Sequence, residues 1–195
     1  MPVTYTNCKG VTYYLCRGVR KSGTAYYYFA REAKGEPVEE IPEGYKISES
    51  VNGFVTLARD RPLQIRPEET AAVEAALGRH PKGHNYQVSA KGDQIVVHER
   101  VGPDTDELVA HFRGLGLLVP GGAERFREGE ERRARFKPVL RFTLSDAERR
   151  TFRAERWCYL GSIDDWIDIG APSALKKLVR DLIPRLGNER FFEWY

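Results

Sequence analysis

Two tyrosine-rich runs near the start of the chain constrain its fold more than any other feature. Tyr13-Tyr14-Leu15 and Tyr26-Tyr27-Tyr28-Phe29 flank the basic stretch Arg17-Gly18-Val19-Arg20-Lys21-Ser22-Gly23. Aromatic and β-branched side chains suit a pleated surface, where they pack on cross-strand neighbours. The basic stretch between them holds two glycines and suits a chain reversal. Val11 to Ala30 is therefore expected to fold as a β-hairpin with a cationic turn.

The following segment, Arg31 to Gly44, carries Pro37 and Pro42, which exclude a helix. Tyr45–Ser48 and Gly53–Ala58 predict two short strands around Asn52-Gly53, a pair that tolerates the positive φ of a tight turn. The first 60 residues thus read as a small antiparallel sheet of about three to four strands. Pro67–Leu77 predicts a helix. Proline fits its first position, Glu68 and Glu69 favour its positive end, and Val73, Ala76 and Leu77 make the inward face. A second hairpin turns at Lys91-Gly92-Asp93, with Tyr86, Val88, Ala90, Ile95 and Val97 on one face. Pro103–Arg113 predicts a second helix, opened by the capping pair Asp104 and Glu107 and striped by Leu108 and Phe112.

Residues 119–138 are charged nearly all round, which suits a mobile linker or a solvated helix. Val139–Leu144 predicts a strand, and Ser145-Asp146-Ala147-Glu148 has the pattern of a capping box opening a short helix. Phe152–Leu160 reads as a strand on its aromatics. Ser162 is expected to cap a helical turn holding Asp164 and Asp165. Ser173 is expected to cap a final helix striped by Leu175, Leu178, Val179, Leu182 and Ile183. The aromatic end, Phe191, Phe192, Trp194 and Tyr195, is expected to dock on the core. The fold class is α+β: antiparallel hairpins with three main helices. The expected division is an N-terminal α+β domain at 1–118, a charged linker at 119–138 and a C-terminal α+β subdomain at 139–195.

At 195 residues the chain can bury a core without disulfides or metals. Cys8, Cys16 and Cys158 form an odd set with no close pair, which argues for a reducing, cytoplasmic setting. The N-terminus lacks a signal-peptide pattern, and no apolar run is long enough to span a bilayer. A net charge of +3 selects no partner by itself.

Local charge is more informative. Through residue 35, Lys9, Arg17, Arg20, Lys21, Arg31 and Lys34 oppose Glu32 alone. Cations at a turn can hold phosphate while rings stack on bases. The nucleic-acid-binding residues read from this pattern are Arg17, Arg20, Lys21, Tyr26, Tyr28 and Arg31, with DNA or RNA as partner. The hairpin is distantly similar to the small DNA-binding sheet domains of arm-binding integrase type, over about two strands and one turn. The competing reading makes Tyr13, Leu15, Tyr26 and Tyr28 a core face, with the cations only guarding an edge. A second basic segment, Arg125 to Arg156, interleaves eleven basic with six acidic residues, so self-compensation is expected there.

Chemistry-bearing patterns are sparse. Asp164-Asp165-Trp166-Ile167-Asp168 resembles the magnesium-binding aspartate motif of isoprenyl-transferring enzymes, whose folds are long and all-helical. This chain is short and strand-rich, so a metal-assisted hydrolase ranks third among the functional readings. His80 and His84 sit in a Pro- and Gly-containing loop that fixes no zinc geometry, and Cys8 and Cys16 form no knuckle. His98 and His111 read as structural. No G-x-S-x-G, Walker or G-x-G-x-x-G pattern occurs. Neither a catalytic residue, a metal ligand nor a cofactor is assigned.

The stretches Y-K-I-S-E-S-V-N-G-F-V-T-L and R-W-C-Y-L-G-S-I-D-D-W-I-D-I-G are similar to segments of uncharacterised bacterial hypothetical proteins. That resemblance implies a bacterial cytosolic origin and carries no activity. The expected function is a non-enzymatic binding module contacting nucleic acid. The alternative is a protein-interaction or self-associating module using exposed aromatics at Tyr26–Phe29 or Phe191–Tyr195.

Overall fold

The computed structural model describes residues 1–32, 35–160, 163–188 and 191. The chain forms two compact units, Met1–Arg61 and Pro62–Tyr195.

In the first unit, strand β2 (Thr12–Val19) is central. It pairs antiparallel with β1 (Thr4–Thr6) and β4 (Glu36–Pro37), and with β3 (Ala25–Ala30). The β2–β3 turn closes with Arg20 N–H donating to Thr24 O at 2.9 Å and Gly23 N–H donating to Arg20 O at 2.9 Å. Gly23 has φ of +80°, a conformation that strains any residue with a Cβ.

The register sets the two faces. Leu15 lies opposite Phe29 and Arg17 opposite Tyr27, whereas Cys16 lies opposite Tyr28 and Gly18 opposite Tyr26. Cross-strand partners share a face, so Tyr26 and Tyr28 lie with Cys16 and Gly18, away from Leu15. The grouping of Tyr13 and Leu15 with Tyr26 and Tyr28 on one core face is thereby corrected. Strands β5 (Tyr45–Glu49) and β6 (Val55–Arg59) form a separate two-stranded ribbon rather than extending the sheet. Polar contacts tie it down. Tyr5 Oη and Cys8 N–H each donate to the Glu49 carboxylate at 2.8 Å, and Asn7 Nδ2 donates to Gly53 O at 2.7 Å.

The second unit is built on a six-stranded antiparallel sheet. Its strands are β7 (Tyr86–Lys91), β8 (Gln94–Arg100), β9 (Phe136–Asp146), β10 (Thr151–Leu160) and β11 (Ile163–Asp168), adjacent in that order, with β12 (Ser173–Ala174) against β10. One sheet face supplies Ile95, Val97, Leu140, Phe142, Phe152 and Ala154, all fully buried. Helix α1 (Pro67–Gly78) adds Val73, Ala76 and Leu77 to that core, and α4 (Leu175–Leu182) adds Leu175, Leu178, Val179 and Leu182. Helices α2 (Thr105–Gly114) and α3 (Gly122–Arg133) meet edge to face through Phe112 and Phe126, with ring centroids 5.4 Å apart. Antiparallel sheets with four helices among the described residues make the protein α+β.

Several local expectations change. Residues 119–138 do not separate two domains. Most of them form α3, and the strands before and after, β8 and β9, are neighbours in one sheet. Asp146 does accept hydrogen bonds from the N–H groups of Glu148 and Arg149, at 2.9 and 2.8 Å, but in a turn joining β9 to β10 rather than at a helix start. That chemistry serves an Asx-turn as well as an N-cap. Residues 163–168 are strand, not helical turn, because six of them pair with β10; Ser162 lies outside the described residues. Ser173 pairs with Phe152 instead of capping α4, whose N-cap is Ala174. Phe191 is buried, while Phe192, Trp194 and Tyr195 lie outside the described residues.

Candidate functional site

Alternation along β3 places Tyr26 and Tyr28 two residues apart on one face, where they stack with centroids 5.6 Å apart and planes inclined 29°. The stack depends on two glycines. A Cβ on Gly18 would lie 2.6 Å from Tyr26 Cζ, so Gly18 lets that ring lie against the β2 backbone. A Cβ on Gly35, where φ is +125°, would lie 2.6 Å from Tyr28 Oη. Arg20 brings its guanidinium to 5.9 Å from the Tyr26 centroid, within cation–π reach. Tyr26 is 39% exposed, so the stack is open to solvent at the turn end.

The six residues singled out from the sequence therefore divide. Arg20, Tyr26 and Tyr28 come together, and Lys21 lies beside them at the exposed turn. Arg31 follows β3 directly and is exposed. Arg17 points to the opposite face and pairs with Glu36 at 3.2 Å. Its charge is already partly answered. Among the described residues Arg20, Lys21 and Arg31 make no ion pair.

The second basic segment is different. Arg127 pairs with Asp106 at 2.9 Å, Arg141 with Glu155, Arg150 with Glu69, and Arg153 with Asp168 at 3.4 Å. Burial favours the neutral form of Glu155, but Arg141 and Thr143 hydrogen bonds outweigh it and hold the carboxyl below its usual range. These cations are neutralised within the unit and add little field at its surface.

The carboxylates at 164–168 do not converge. Asp164 accepts from Trp157 Nε1 at 3.1 Å, Asp168 pairs with Arg153, and Asp165 lies on the other side of the strand, accepting from Trp166 N–H. A cluster not read from the sequence does form around Asp104. His84 Nε2 lies 2.9 Å from Asp104 Oδ2, and donor atoms of His84, Asp104 and Asp106 lie within 4.8 Å of one another. Its lone pairs are committed to structure. Asp104 accepts from the N–H groups of Asp106 and Glu107 at 2.8 and 3.3 Å, and from Asn85 Nδ2 at 2.6 Å. Burial opposes its charge, yet the Asn85, Asp106, His84 and Glu107 hydrogen bonds prevail and hold its pKa at about 2. The capping pair was legible; the partnership with His84, twenty residues away, needed the fold. His80 meets Tyr86 edge to face at 5.4 Å. Half-buried His98 shares a hydrogen bond with Ser89 Oγ, and desolvation pushes its pKa down. Cys8 is exposed and Cys16 is buried.

Sequence reading also missed an exposed apolar loop between α2 and α3, carrying Leu115, Leu117 and Val119 at 59%, 66% and 69% exposure. Its signal was the run Gly114-Leu115-Gly116-Leu117-Leu118-Val119, apolar without the period of a buried element. No helix among the described residues is long and apolar enough to cross a membrane.

A scan against protein-family models finds no match to the chain, and searches of curated proteins and of solved structures find no significant match either.

Proposed function

We propose that the protein is a binding module that contacts a nucleic-acid strand through the β2–β3 hairpin. The observation that carries this reading is the Tyr26–Tyr28 stack, exposed at Tyr26, with Arg20 against Tyr26 and Lys21, which makes no ion pair among the described residues, beside it. Two rings on one face offer bases a sequence-tolerant platform, and neighbouring cations hold the phosphates between them. Arg20, Lys21 and Arg31 supply the charge, and Arg17 contributes less because Glu36 answers it. Fluorescence anisotropy with labelled single-stranded DNA and RNA, over a series of salt concentrations, tests the reading. Each cation engaged on a single strand contributes about 0.7 to the slope of log affinity against log salt. Neutralising Arg20 and Lys21 together should flatten that slope by about 1.4. Absence of binding to both nucleic acids at low salt ends the proposal.

One observation favours a protein-contact reading instead, the exposed Leu115, Leu117 and Val119 loop. Phe191 does not serve it, being buried. A concentration-dependent sedimentation coefficient abolished by polar substitution of Leu117 and Val119 would support self-association through that loop.

A further inference from the structure

We infer that the groove between α1 and α4 binds an anionic amphiphile, a long-chain carboxylate whose hydrocarbon lies in the groove and whose head meets its basic rim. This site lies in the second unit and does not rest on the hairpin proposal.

The groove has a volume of about 1070 Å³, just above the roughly 300–1,000 Å³ typical of small-molecule sites. Its walls follow from the two helices' sequences. Helix α1 turns Val73, Ala76 and Leu77 to the core and leaves Ala72 and Ala75 exposed on its flank. Their methyl groups leave room where longer side chains would fill the space. Val179 and Ile183 supply the facing apolar wall.

The rim has one sign of charge. Arg79 enters from the end of α1, and Lys176, Lys177 and Arg180 enter from α4; among the described residues no carboxylate lines the groove. Arg180 is paired with Asp181 at 2.8 Å. Arg79, Lys176 and Lys177 make no ion pair among the described residues. Apolar walls alone would accept any hydrocarbon. The cations at their edge select a negative head over a neutral or positive one. Exposed Ala72 and Ala75 leave the groove open to solvent along the α1 flank, which suits a ligand with one end wet.

The test uses sodium laurate below its micellar concentration, titrated into the full chain with ¹³C-labelled alanine methyls and followed by NMR and calorimetry. Dodecyltrimethylammonium and dodecanol serve as controls of matched chain length. Saturable one-to-one binding of laurate is expected, with shifts centred on Ala72, Ala75 and Ala76. The cationic amphiphile should bind at least about tenfold more weakly. Ala75→Trp fills the groove from an exposed position and should abolish binding. Lys176→Glu with Lys177→Glu should weaken laurate roughly tenfold; unchanged thermal melting of both variants excludes misfolding. Equal affinity for the cationic amphiphile, shifts mapping elsewhere, or undiminished binding to the Ala75→Trp variant would overturn the inference. So would binding to phosphatidylglycerol vesicles, or to an acidic amphipathic peptide, in the absence of any laurate binding.

Discussion

Gly18→Ala separates stacking from charge at the hairpin. The added Cβ would sit 2.6 Å from Tyr26 Cζ and 2.8 Å from Tyr26 Cε1 and Oη, where ordinary contact begins near 3.4 Å. The ring must therefore withdraw by about 0.8 Å or rotate off its neighbour. It can do so cheaply, because the clash is with the far end of a side chain rather than with backbone. Gly18 does not have a positive φ, so alanine fits its backbone, and a strand glycine replaced by alanine gains roughly 0.5–1 kcal/mol from the unfolded state. Stability should hardly change. Displacing Tyr26 disturbs its stack on Tyr28 and its contact with Arg20, while every charge remains. A base stacked on an aromatic ring is worth about 1–3 kcal/mol, so affinity for a single strand should fall roughly five- to 150-fold. The salt slope should stay that of the parent protein, because no phosphate contact is lost. Anisotropy titrations at several salt concentrations read both quantities, and urea melts read stability. Parent-like affinity in a variant whose Tyr26 ring has visibly moved would refute the stacking role.

Other expectations concern the second unit. Asp104→Ala removes an N-cap worth about 0.5–2 kcal/mol and strips Asn85 of a partner at about 1–3 kcal/mol, so a loss of about 1.5–5 kcal/mol is expected in urea melts at pH 7. The parent's Asp104 has a depressed folded pKa of about 2 against an ordinary 3.8, so its contribution is whole above pH 4 and disappears as pH falls through 2. About 2 kcal/mol of pH-dependent stability over that window should be absent from the variant. Glu69→Gln leaves Arg150, with its side chain 18% exposed, without a charge partner, and should cost about 3 kcal/mol by chemical denaturation. Phe142→Ala opens a fully buried site in the sheet face and should cost about 3–5 kcal/mol by the same assay.

What the sequence made legible was local. The β2–β3 hairpin follows from two aromatic runs and a glycine-bearing turn. Helix α1 follows from Pro67, the two glutamates and the Val73, Ala76 and Leu77 spacing, all three of which are buried. The face assignment of Tyr26 and Tyr28 was not legible, because a one-residue change of register moves every side chain to the other side. Residues 163–168 misled for a related reason. Ile163, Trp166 and Ile167 have helical spacing, but pairing with β10 satisfies the backbone groups that face it and makes the segment the edge strand of the sheet. Asp146 misled because one side chain accepting two backbone N–H groups is common to helix starts and to turns. The pairing of Arg17 with Glu36 depended on β4 folding back across nineteen residues. The α1–α4 groove is a product of packing between helices far apart in the chain, and no single segment announces it.

Photocrosslinking tests the nucleic-acid reading most directly. A single strand carrying 5-iodouracil would be irradiated with the protein, and adducts located by mass spectrometry after trypsin digestion. Cleavage after Lys21 and Arg31 isolates Ser22–Arg31, which carries Tyr26 and Tyr28 and none of the chain's other cations. Adducts are expected on that peptide, at Tyr26 or Tyr28, lost when unlabelled strand competes. A strand that binds saturably yet crosslinks only outside Ser22–Arg31 would contradict the nucleic-acid reading.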